Sequence, residues 1–137
     1  MRSIKIFSIL LLLCFGIVTV VEAQPAAVKK AANTTFTLTT FDSNGSILST
    51  SNGVFVSNDG IGVSTWKPFV GAMKAVVTDN DGQKYDVETM LGANELYDVA
   101  KFKVAAKTHA APFAPSVAAS STAWIVVPAK VGDPIKA

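Results

Sequence analysis

Residues 51–72 read SNGVFVSNDGIGVSTWKPFVGA, and residues 97–104 read YDVAKFKV. The first stretch is an apolar strand (54–57), a turn at Asn58-Asp59-Gly60, a second strand (61–65) and a short segment ending in Gly71-Ala72. The second places the carboxylate of Asp98 at the mouth of an alternating strand over 98–104, with Val99, Phe102 and Val104 as candidates for burial. Asparagine, aspartate and glycine tolerate the backbone angles of tight turns, so an Asx-Gly pair between two apolar runs predicts a hairpin.

The same pattern extends to either side. Residues 34–41 alternate Phe36, Leu38 and Thr40 against Thr35, Thr37, Thr39 and Phe41, with the β-branched enrichment of a strand. Asn44-Gly45 predicts a tight turn in which both residues take positive φ, with a return strand over 46–50. A further pair of strands, 74–78 and 83–89, flanks Asn80-Asp81-Gly82. Residues 105–120 are rich in alanine and proline and predict irregular structure. Residues 121–127 predict a last strand and residues 129–137 a linker-like tail. Helix is expected only as one short turn over 68–72. Six or seven short strands joined by hairpins make an antiparallel all-β domain over 34–128. Periodicity alone leaves a sandwich and a closed barrel both open.

The order of these elements resembles the first half of a trypsin-like serine protease of the secreted bacterial Deg type. There, a small-residue entry, a strand, an Asx-Gly turn, a second strand and a short turn precede a strand opened by aspartate-apolar-alanine. The resemblance covers residues 34–127 and implies a six-stranded antiparallel barrel. It also assigns positions. Asp98 stands where the family carries the aspartate that orients the catalytic base, and Lys67 stands where it carries the base histidine. A protonated lysine is a donor only and cannot take a proton from a serine hydroxyl. The chain contains no G-x-S-G nucleophile segment, and Ser51, Ser57 and Ser64 fall on strands of the expected barrel. The resemblance therefore implies a protease-related domain, truncated or inactive, with Asp98 as a relic paired to Lys67 or capped by backbone N–H groups. Trp66, beside the altered position, is expected to pack at the rim or stack on a ligand. His109 is the chain's single histidine and lies in an expected loop.

Composition narrows the partners. The first 23 of the 137 residues carry Arg2 and Lys5, then an apolar run from Ser8 to Val21, then Val21-Glu22-Ala23. That is the pattern of a cleaved secretory signal, with an apolar core short for a membrane span. Of 12 Lys+Arg and 10 Asp+Glu, the signal removes Arg2, Lys5 and Glu22, leaving a chain one charge from neutral. Such a balance argues against nucleic acid or an anionic membrane as a partner. The only cysteine, Cys14, leaves with the signal, so the exported domain, secreted or periplasmic, relies on its core alone. Residues 24–33, rich in alanine and lysine, are expected to be a flexible lead-in. No phosphate loop and no paired-histidine metal spacing occur, so no cofactor is expected.

Three functions fit these residues. The chain is an inactive trypsin-like domain, or a small secreted β-module that binds a peptide or protein partner, or one half of an active endopeptidase whose second barrel lies elsewhere.

Overall fold

Six strands close into an antiparallel barrel in the computed structural model, which describes residues 26–116, 118–120 and 125–126. In chain order they are β1 (Thr35–Phe41), β2 (Ile47–Phe55), β3 (Ile61–Ser64), β4 (Lys74–Asp79), β5 (Lys84–Asn94) and β6 (Val99–Val104). Around the barrel they run β1-β2-β3-β6-β5-β4. A short helix, α1 (Ala26–Ala32), precedes β1, and one 3₁₀ turn (Lys67–Phe69) links β3 to β4. The all-β barrel expected from the sequence is the fold observed.

Period two decides which side chains fill the interior. On β1, Phe36, Leu38 and Thr40 are fully buried, while Thr35, Thr37, Thr39 and Phe41 face outward. They meet Phe55 of β2, Val77 of β4, and Phe102 and Val104 of β6 in one core. Each such apolar burial contributes ~1.5–3 kcal/mol before chain entropy is counted. The rings form a chain of contacts: Phe36 to Phe55 at 4.6 Å, Phe36 to Phe102 at 5.8 Å, and Phe102 to Phe69 at 5.5 Å. Phe69 belongs to the 3₁₀ turn, so the core itself fixes the segment that carries Lys67.

Several boundaries differ from those expected. The strands expected at 46–50 and 54–57 are one strand, β2, because Ser51, Asn52 and Gly53 keep pairing with Leu38, Thr37 and Phe36. Gly53 does not break the strand but makes room within it. A Cβ there would lie 2.3 Å from Cζ of Phe36 and 2.6 Å from the carbonyl oxygen of Val63. Strand β5 outlasts its expected end at residue 89 and pairs with β6 as far as Asn94, past two irregularities of register. Val99, expected inside, is 43% exposed, because burial on β6 falls on Ala100, Phe102 and Val104.

The lead-in expected to be flexible holds α1, so helix is not confined to the turn near Pro68. Val28 and Ala32, one helical turn apart, are buried, and the side-chain amide of Asn80 donates to the carbonyl of Ala32. The strand expected over 121–127 falls almost wholly outside the described residues, and Ile125 and Val126 carry no strand. The expected signal (1–23) and tail (129–137) also lie outside them.

The hairpins β1–β2 and β4–β5 close with one device used twice. Asp42 Oδ1 accepts from the backbone N–H of Asn44 (2.8 Å) and Ser46 (2.9 Å). Asp79 Oδ1 accepts likewise from Asp81 (2.9 Å) and Gln83 (2.8 Å). Only the glycines, Gly45 and Gly82, take positive φ, at 79° and 80°. Asn44 does not, contrary to the two-residue turn expected there. An aspartate starting the turn satisfies its N–H groups, and the glycine closes it without a Cβ clash.

Strand directions give the barrel two unlike ends. One holds Phe41, Ile47, Lys74, the 3₁₀ turn and the β5–β6 turn, where Asn94 pairs with Val99. The other holds α1 and the turns at 56–60 and 79–83, where Phe36 pairs with Asp79 and Phe55 with Gly62.

Candidate functional site

The two positions marked in the sequence meet at the first of these ends. Asp98 closes the β5–β6 turn, in which Asn94 Oδ1 accepts from the N–H of Tyr97 (3.0 Å) and the N–H of Asp98 donates to Glu95 O (3.3 Å). To enter β6 from this turn Asp98 adopts φ 53°, a left-handed conformation shared among described non-glycine residues only with Ser120. Aspartate tolerates that region better than most residues because its short polar side chain bonds locally. From there its Oδ1 accepts the backbone N–H of Lys67 at 2.8 Å, and its carbonyl accepts the N–H of Trp66 at 3.3 Å.

Asp98 thus holds Lys67 by its backbone and not by its ammonium. Of the two arrangements expected for Asp98, the one observed is acceptance of backbone N–H groups and not an ion pair: among the described residues the ion pairs are Lys74–Asp86 and Lys103–Asp59. Lys67 is exposed and opens the 3₁₀ turn, with buried Pro68 next to it. Trp66 is half-buried and lies nearly parallel to Phe69, at 6.2 Å and 17°. It packs at the rim, tied through Phe69 and Phe102 to the core.

The serines are occupied structurally. Ser64, 8% exposed, donates to Asn52 O at 2.8 Å and lies 3.0 Å from the hydroxyl of Ser51. Ser57 Oγ accepts the N–H of Asp59 at 3.2 Å, and its carbonyl accepts from Thr108 Oγ1 at 2.7 Å. None has a histidine beside it. His109 belongs to the opposite end, where its neighbour Ala110 donates to Asn58 Oδ1 at 2.9 Å. No group of three or more His, Cys, Asp or Glu able to hold a metal is found among the described residues.

One feature of this end was not legible in the sequence. Ile47, Leu48, Val70, Met73, Met90, Leu91, Leu96, Tyr97 and Val99 are exposed here, nine of the eleven exposed large hydrophobics among the described residues. Leu96 (85%) and Tyr97 (74%) are the most open, and their place in a polar turn was the one signal available.

No protein-family model and no curated protein matches the sequence. Solved structures do. A serine endoprotease from Yersinia pestis superimposes with a TM-score of 0.58 at 21% identity, over 68% of this chain and 35% of its own. The HtrA-type protease AlgW with a tripeptide gives 0.55 at 25% identity, over 61% and 27%. A variant of AlgW with a tripeptide gives 0.52 at 24%, over the same shares. The described barrel therefore shares its fold with one barrel of HtrA-type serine proteases. The chain spans about a third or less of the length of the structures it matches.

Proposed function

We propose that this chain is an exported, non-catalytic trypsin-like barrel that acts by docking another polypeptide against the end bearing Lys67 and Asp98. One observation carries the proposal. Asp98 accepts the backbone N–H of Lys67 through Oδ1, and the side chain at the base position is a lysine, which when protonated has no lone pair to take a proton from a hydroxyl. The docking half rests on the nine exposed hydrophobic residues gathered around that site.

The test is turnover of casein and of a fluorogenic peptide set by the purified chain, with a serine-directed covalent probe alongside. No turnover above a heat-treated control is expected, and Lys67→His is expected to add none. Turnover abolished by the probe overturns the non-catalytic reading. Export is tested by N-terminal sequencing of protein from the medium or periplasm, with Gln24 expected first. Retention of Met1 overturns it.

A second reading is favoured by the share of the matched structures that this chain covers. In it the docked polypeptide is a second barrel, and the pair forms one protease-like body. Lys67 keeps that body without a histidine base unless another chain supplies one.

A further inference from the structure

The opposite end of the barrel holds a trough that neither the Lys67–Asp98 site nor the protease likeness explains. It lies between α1 and residues 108–112 and encloses about 470 Å³, within the ordinary range for small-molecule sites, roughly 300–1,000 Å³. Both walls are tied down. On one side α1 buries Val28 and Ala32, while Thr34 Oγ1 donates to Ala31 O (2.7 Å) and Thr35 Oγ1 to Ala32 O (2.8 Å). On the other, Asn58 accepts from the N–H of Thr108 through its carbonyl (3.0 Å) and from that of Ala110 through Oδ1. Ala111 N–H donates to Phe55 O at 2.8 Å.

One helix serves two surfaces. Residues 28 and 32 face the core, and Ala27 and Ala31, four apart on a neighbouring face, line the trough opposite Ala110 and Pro112. The lining is mainly apolar. Lys30 and His109 both line it, no carboxylate does, and neither forms an ion pair among the described residues.

A mainly apolar trough whose wall holds Lys30 and His109 beside the uncharged Asn33, Thr34 and Asn58, and no carboxylate, suits an apolar ligand with an anionic head. We propose that it binds an amphipathic carboxylate, with the aliphatic body along Ala27, Ala31, Ala110 and Pro112 and the anionic head at Lys30 and His109. The alanine methyls leave the trough open to a chain without branches, and an apolar tail gains affinity by leaving water. The head contributes less, because both partners are exposed and such pairs are worth ~0–1 kcal/mol each.

The experiment is calorimetric titration of the purified chain with decanoate, with decanol and an apolar peptide ending in a free carboxylate as parallel arms. Saturable binding of decanoate with one molecule per chain is expected, and decanol weaker. Lys30→Ala and His109→Ala should each weaken decanoate binding by up to about fivefold, the fold-change of ~1 kcal/mol. Ala27→Leu, at an exposed helix position, should fill the trough and remove binding while the melting curve stays in place. Asp98→Ala should leave binding unchanged, which separates this site from the proposed docking end. Absence of saturable decanoate binding, equal binding of decanol, or binding of the peptide alone overturns the proposal.

Discussion

The two ends of this barrel are built from the same six strands but spend their apolar residues differently. At the α1 end, Phe36, Phe55 and Val104 are buried among paired strands, and the segment that follows β6 bonds back to the carbonyls of Val104 and Phe55. At the Lys67 end the strands run on past the closed part of the sheet. β5 continues to Asn94, although its pairing with β4 stops at Asp86. Leu91, Leu96 and Tyr97 are left on the surface as a result. One end buries its hydrophobic residues, and the other leaves them exposed.

If that division is right, the largest loss comes from the closed part. Gly53→Ala forces a methyl against the ring of Phe36 and the carbonyl of Val63, two groups the core cannot move. A destabilisation above ~4 kcal/mol is expected, enough to erase the cooperative thermal transition followed by circular dichroism. A variant that melts within a few degrees of the parent breaks the description of this core. Next comes Phe102→Ala, which removes the ring linking Phe36 to Phe69 and should cost ~3–5 kcal/mol by urea unfolding.

Smaller effects sharpen the picture of the other end. Asp98→Ala removes a charged acceptor from Lys67 N–H while keeping the chain left-handed, and ~1–3 kcal/mol should be lost. Asp98→Gly loses the same bond but relieves the backbone, so it should be the milder of the two. The reverse order would place the importance of Asp98 in something other than its cap. Leu96→Ser, at the most exposed position, should change unfolding free energy by no more than ~0.5 kcal/mol. A clear loss there would show that Leu96 is packed and not held for a partner.

The smallest effect is a pH dependence. Tyr85 donates to Asp79 Oδ2 at 3.2 Å, and its hydroxyl is held above its ordinary pKa of 10.0, first by desolvation and then by the charge of Asp79. The folded state thus favours the protonated phenol. Its contribution is present in full below pH 10 and fades as pH rises through the folded-state value. Tyr85→Phe should flatten the alkaline limb of the stability curve, measured as melting temperature against pH.

Much of this fold is legible in the residues themselves. The alternation from Thr35 to Phe41 separates the buried Phe36, Leu38 and Thr40 from the outward Thr35, Thr37, Thr39 and Phe41, because period two admits only two faces. The turn glycines and the position of Asp98 beside Lys67 are legible for a similar reason: turn chemistry and strand order act locally or follow a recognisable pattern. Val99 is misplaced by grouping it with Phe102 and Val104, although it has the parity of Lys101 and Lys103; strict alternation puts it on the outer face, where the structure has it. The break expected at Ser51-Asn52-Gly53 fails for a different reason. Glycine reads as punctuation in a sequence, yet here a ring from across the sheet requires it within the strand.

By itself the sequence determined the strand content and the turn glycines, since each rests on residue chemistry or short-range periodicity. Only the tertiary structure decided that Asp98 binds the backbone of Lys67 and not its ammonium, that α1 forms and buries Val28 and Ala32, and that nine apolar side chains remain exposed at the other end. Those outcomes depend on where distant segments meet, and the free energy of such meetings lies in shape and burial that no local pattern encodes.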